Sequence, residues 1–93
     1  MSLSGKVAIV SGAAQGLGRA FAIRLAEEGC MVLGFDVKKE VLDVAGVTGV
    51  VADVSKRDDV ARVVSTAAGM GEIAVLVNNA GTWKRTPVDS AWQ

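Results

Sequence analysis

Four short apolar runs punctuate the chain, each closed by a polar or glycine-bearing break. Lys6–Ser11, "KVAIVS", is continuous and rich in Val and Ile, and predicts a buried strand. Met31–Asp36 ("MVLGFD"), Gly49–Asp53 ("GVVAD") and Ile73–Asn79 ("IAVLVNN") predict three more. Between the runs the period lengthens. Leu17–Glu28 reads as a helix with Leu17, Phe21 and Leu25 as its apolar stripe and Gly29 as its stop. Lys38–Ala45 predicts a short helix ended by Gly46. A further helix opens at Ser55, read as N-cap with Asp58 three residues on, an aspartate form of the capping box. Val60, Val63, Val64 and Ala67 then share one helical face, and Gly69 and Gly71 end it.

Strands alternating with helices make successive βαβ units, which require a parallel sheet. Apolar runs without alternation suit it, because parallel strands are buried on both faces. The expected fold is therefore α/β, a Rossmann-type doubly wound parallel sheet truncated after the fourth strand, with the strands ordered third, second, first, fourth. At 93 residues the chain is one domain or less, with no linker or internal repeat.

The strand ends carry the candidate chemistry. "SGAAQGLG", Ser11–Gly18, leaves the first strand with glycines at 12, 16 and 18. Glycine is entropically costly and is worth having where a Cβ is forbidden. Gly12 would make the turn, Gly16 would admit a phosphate, and Gly18 would let the helix pack on the sheet. The unpaired N–H groups and dipole of a helix N-terminus favour an anion there. The spacing is GxxxGxG rather than GxGxxG, and a ligand-free glycine turn is the plain alternative. Asp36 closes the second strand, where a carboxylate can accept both hydroxyls of a ribose. A solvated strand-end aspartate is its plain alternative. Asp53 ends the third strand at the same edge, and "NNAG", Asn78–Gly81, ends the fourth with two amides and two small residues. Ligands of open α/β sheets bind beyond such carboxyl ends.

Composition removes other readings. Ten basic residues balance ten acidic ones, which leaves no electrostatic footprint for nucleic acid or an anionic membrane surface. No apolar run reaches the roughly 20 residues of a spanning helix. The absence of histidine excludes Ser-His-Asp chemistry and His-ligated metal, and the carboxylates show no metal-ligand spacing. Cys30 is alone, so a reducing cytoplasm is the default location and a small buried hydrophobe its reading.

In this order and at these separations, "SGAAQGLG", the terminal Asp36, "ADV" at Ala52–Val54 and "NNAG" resemble the short-chain dehydrogenase/reductase family, from about Leu3 to the end of the chain. The resemblance implies a Rossmann fold binding NAD(H) or NADP(H). Gly12, Gln15, Gly16, Leu17 and Gly18 would line the pyrophosphate, Asp36 would take the ribose, and Asp53 and Val54 the adenine. Asn79, Ala80 and Gly81 would face the inner ribose, while Asn78 is similar to the family's sheet-stabilising asparagine. Trp83 would be a substrate wall or a packing residue, Trp92 a packing residue, and Lys84 and Arg85 solvated. Relatives that use NADP place a basic residue just before the second glycine or just after Asp36. Gln15 and Val37 stand there, so NAD is expected over NADP.

The family's chemistry is performed by a Ser, a Tyr and a Lys, helped by an Asn, in segments beyond the fourth strand. This chain holds no tyrosine, and Ser90 and Lys84 are out of place to substitute. No catalytic residue is therefore assigned within residues 1–93. They read as the N-terminal cofactor-binding part of a longer homo-oligomeric reductase, dimer or tetramer, acting on a small carbonyl or alcohol. A stand-alone nucleotide-binding module or an interaction scaffold are the alternatives.

Overall fold

A computed structural model describes residues 3–79. Its elements run β1 (Val7–Ser11), α1 (Gly16–Glu27), β2 (Met31–Asp36), a 3-10 helix (Lys39–Asp43), β3 (Val47–Val51), α2 (Arg57–Met70) and β4 (Ile73–Val77). The strands form one parallel sheet in the order β3-β2-β1-β4. The expected fold and strand order are both found.

Successive side chains of a strand point to opposite faces, and β1 divides the core accordingly. Ala8 and Val10 join Val32 and Val41 beneath α1, which contributes Ala22. Val7 and Ile9 join Leu33 and Phe35 beneath α2, which contributes Val63 and Ala67. Burying a Val or Leu side chain stabilises by about 1.5–3 kcal/mol, so β1 and β2, covered on both faces, anchor the fold. The edge strand β4 is less covered, with Ile73 and Leu76 exposed.

Several boundaries differ from the sequence expectation. Only Leu25 of the apolar stripe proposed for α1 packs on the core: Leu17 is 63% and Phe21 42% exposed, whereas Gly18 and Ala22 are buried. Small residues face the sheet because the helix starts tight against the turn that precedes it. β3 lies two residues earlier than expected, so Asp53 sits beyond the strand. Ser55 does not cap α2, which begins at Arg57 without a side-chain cap. The Asp53 carboxylate instead accepts both the N–H and the hydroxyl of Ser55, at 2.9 and 2.7 Å, closing a local turn. β4 ends at Val77 rather than Asn79, and the short helix is a 3-10 turn.

Candidate functional site

All four strands are parallel, so their carboxyl ends share one edge of the sheet. The register places the residues that leave it side by side: Ser11 pairs with Phe35, and Asp36 with Val51. Beyond this edge lies a cavity of about 610 Å³, within the ordinary range for small-molecule sites. Gly12, Gln15, Gly16, Asp36, Asp53, Val54 and Asn79 line it, joined by Phe35, Val37, Lys38 and Ala52.

The glycine turn gives the cavity its floor. Gly12 and Gly16 adopt φ of 64° and 60°, the left-handed region that side chains disfavour. α1 opens at Gly16 with no side chain capping it and no acidic residue in its first turn. Within its own first turn, therefore, α1 carries no negative charge to compete with an anion at those N–H groups. Gly18 has a different part. A Cβ there would overlap the Gly12 carbonyl oxygen and stand 2.6 Å from Asn79 Nδ2. Its bare Cα lets α1 close on the turn at Gly12, a contact distinct from the sheet packing that the sequence suggests for it. Neither Gly18 nor the exposed Leu17 side chain lines the cavity.

Asp36 reaches back to that turn. Its Oδ2 accepts the Ala14 N–H at 3.0 Å and its Oδ1 the Lys38 N–H at 3.0 Å. Two backbone donors thus hold the carboxylate at the cavity wall. Each oxygen keeps a lone pair for a further donor. At the third exit, hydrogen bonds from the Ser55 hydroxyl and N–H, aided by the Lys56 charge, hold the Asp53 carboxyl below its ordinary value of 3.8. Asp53 is ionised throughout the neutral range.

The β1 and β4 exits are joined by Ser11, a residue the sequence reading passed over. Its buried hydroxyl accepts the Asn79 N–H at 2.7 Å and lies 3.2 Å from Asn78 Oδ1 and 3.4 Å from the Val77 carbonyl. The signal was present as a polar residue ending a wholly apolar run, "VAIV". Ala80, Gly81, Trp83, Lys84, Arg85, Ser90 and Trp92 lie outside the described residues. Among the described residues no cluster of His, Cys, Asp or Glu could hold a metal ion, and no helix is long and apolar enough to cross a membrane.

Comparison with known proteins agrees with this fold. The family model described as short chain dehydrogenase matches residues 6–92. The 3-oxoacyl-(acyl-carrier-protein) reductase FabG of Thermotoga maritima is 41% identical, the match covering 87% of this chain and 37% of that protein. The hydroxyacyl-CoA dehydrogenase ChsB1 of Mycobacterium tuberculosis is 40% identical, covering 85% and 29%. In structure, the chain is similar to the 3-ketoacyl-(acyl-carrier-protein) reductase of Brucella melitensis complexed with NADH. The TM-score is 0.79 at 39% identity, over 86% of this chain and 36% of that one. The chain thus spans about a third of such relatives, and within that span it belongs to the short chain dehydrogenase family.

Proposed function

We propose that these residues are the cofactor-binding part of an NAD-dependent oxidoreductase that moves a hydride between nicotinamide and a small carbonyl or alcohol. The observation that carries the reading is the cavity at the sheet edge, with an uncapped glycine turn on one side and the tethered Asp36 carboxylate on the other. In this reading the turn at Gly12–Gly18 holds the pyrophosphate and Asp36 accepts the adenosine ribose hydroxyls. Asp53 and Val54 border the adenine, while Asn79, with Ala80 and Gly81, borders the inner ribose. When bound, the nicotinamide supplies or accepts the hydride. The residues described here bind and orient; none is assigned the proton transfer.

The preference for NAD over NADP rests on charge. A 2′-phosphate would be set against a carboxylate that two backbone donors keep in place. Lys38 also lines the cavity, but its own N–H is what holds Asp36, and its ammonium rides on a flexible exposed stem.

Calorimetry of the full-length protein with each dinucleotide tests the reading, beside NADH oxidation across a panel of carbonyl compounds. NAD is expected to bind more tightly than NADP, and Asp36→Ala to narrow the ratio. Tighter binding of NADP, or a ratio untouched by that substitution, would remove the NAD assignment. The 93 residues on their own are expected to reduce no carbonyl, since they contain no tyrosine to act as the family's acid. Turnover by that chain, free of longer protein, would show the chemistry to lie elsewhere.

A further inference from the structure

The exits of β1, β2 and β4 are fastened to one another by Asp36 and Ser11, and the β3 exit is held both from β2 and from a further element. Asp59, in the first turn of α2, accepts the Asp53 N–H on Oδ2 at 2.8 Å. Further along the same helix, Arg62 Nη2 donates to the Val51 carbonyl at 3.0 Å and stands 3.6 Å from Asp59 Oδ1. Between those two points the Ala52 N–H donates to the Asp36 carbonyl at 2.9 Å. Val51, Ala52 and Asp53 are therefore each tied through the backbone. Asp59 itself does not line the cavity.

We propose that Asp59 is a positioning residue for the adenine end of the cofactor cavity, setting through the Asp53 N–H where the Asp53 carboxylate and Val54 stand. This rests on the reading that the cavity takes NAD with its adenine against those two residues. The physical chain is short. A backbone N–H leaving a sheet has lost its ladder partner and must find another. The Asp59 carboxylate supplies a charge-assisted bond, stronger and more directional than water would give. Asp53 Oδ1 is committed to the Ser55 N–H and hydroxyl, so the carboxylate is locked to its own backbone. The orientation of the Asp53 peptide then decides where Oδ2, the oxygen left for a ligand, is directed. An adenine amino group donates to such an oxygen, whereas the 6-oxo group of hypoxanthine repels it. Asp59 thus acts on base discrimination without touching the base.

The test compares NAD with nicotinamide hypoxanthine dinucleotide, which differs at the base edge, by calorimetry on the full-length wild type, Asp59→Ala and Asp59→Asn. The wild type is expected to favour NAD. Asp59→Ala should weaken NAD roughly tenfold while weakening the hypoxanthine analogue much less, so that the ratio contracts. Asp59→Asn, which keeps an acceptor oxygen, should retain most of the ratio. Equal losses for the two dinucleotides, as general destabilisation would produce, overturn the proposal, and so does no loss at all. Amide exchange in the ligand-free wild type guards against a variant that fails to fold. The Asp53 amide should exchange slowly, and exchange at the rate of an open amide also overturns it. A wild type that binds neither dinucleotide removes the NAD reading itself, and the proposal with it.

Discussion

Replacing glycine by alanine within a helix normally stabilises a protein, by about 0.5–1 kcal/mol, because glycine loses more backbone freedom on folding. Two helical glycines of this chain should respond with opposite signs. Gly69, near the end of α2, has nothing among the described residues within 4 Å of where a Cβ would stand. Gly69→Ala is therefore expected to raise stability by about 0.5–1 kcal/mol. At Gly18 the same methyl overlaps the Gly12 carbonyl oxygen and lies 2.8 Å from the Gly12 carbonyl carbon and 2.6 Å from Asn79 Nδ2. Overpacking costs about 1–3 kcal/mol, and the upper end applies where backbone rather than a flexible chain end must yield. Setting about 3 against a gain of up to about 1 leaves Gly18→Ala roughly 2 kcal/mol less stable than wild type. Urea denaturation of both variants measures the difference. Relief of the overlap also draws the start of α1 away from the turn, so dinucleotide affinity should fall with stability in Gly18→Ala alone. A Gly18→Ala protein as stable as wild type would refute the reasoning, because it would mean that helix and turn are not in contact there.

Ser11→Ala leaves the Asn79 N–H without its acceptor in a part-buried site and is expected to cost about 1–2 kcal/mol, read by denaturation and by faster exchange of the Asn79 amide. Carbon-detected NMR titration should place the Asp53 midpoint below 3.8, and Ser55→Ala should move it upward. Because the folded value is depressed, the stability that Asp53 contributes is fully present above the ordinary aspartate range and is lost as pH falls through the folded value. A Ser55→Ala protein with an unchanged midpoint would break that assignment.

The strands were legible because parallel pairing buries both faces and writes an unbroken apolar run into the sequence. "KVAIVS" and "MVLGFD" mark β1 and β2 to within a residue. Legibility failed where contact distance outweighed hydropathy. Leu17 and Phe21 are large apolar residues of α1, yet the glycine turn holds the first half of the helix so close that Gly18 and Ala22 face the sheet there, and the larger Leu25 packs only further along. It failed again at the start of α2, where Ser55 has two roles open to it. Its side chain would cap the helix in isolation, but the preceding Asp53 offers a charged acceptor and takes both donors. β3 was displaced because Asp53 looks like a strand terminus, whereas its N–H belongs to Asp59 on the next helix. Residue types at the strand ends were readable from the chain. Their partners, up to 68 residues away in the case of Ser11 and Asn79, were not.

Those partnerships bear on how the site works. Every strand leaving the sheet abandons ladder partners, and buried orphan donors are costly. Here the groups that satisfy them are polar side chains at or beside the same edge: Asp36 for the Ala14 N–H, Ser11 for the Asn79 N–H and Asp59 for the Asp53 N–H. In the proposed reading the requirements of folding and of ligand binding are thus met by overlapping groups. Ordering the cavity wall is charged to folding, and a ligand meets a surface whose backbone is already fixed, which lowers the entropy lost on binding. In that reading Asp36 carries both duties on one carboxylate. Its two oxygens each accept one backbone N–H and each retain capacity for a ligand hydroxyl. An asparagine there would offer only one acceptor oxygen, so either the turn at Ala14 or the bond from Lys38 would be released. An amide is therefore no conservative replacement at this position, and the reason lies in the protein's own backbone before any ligand arrives.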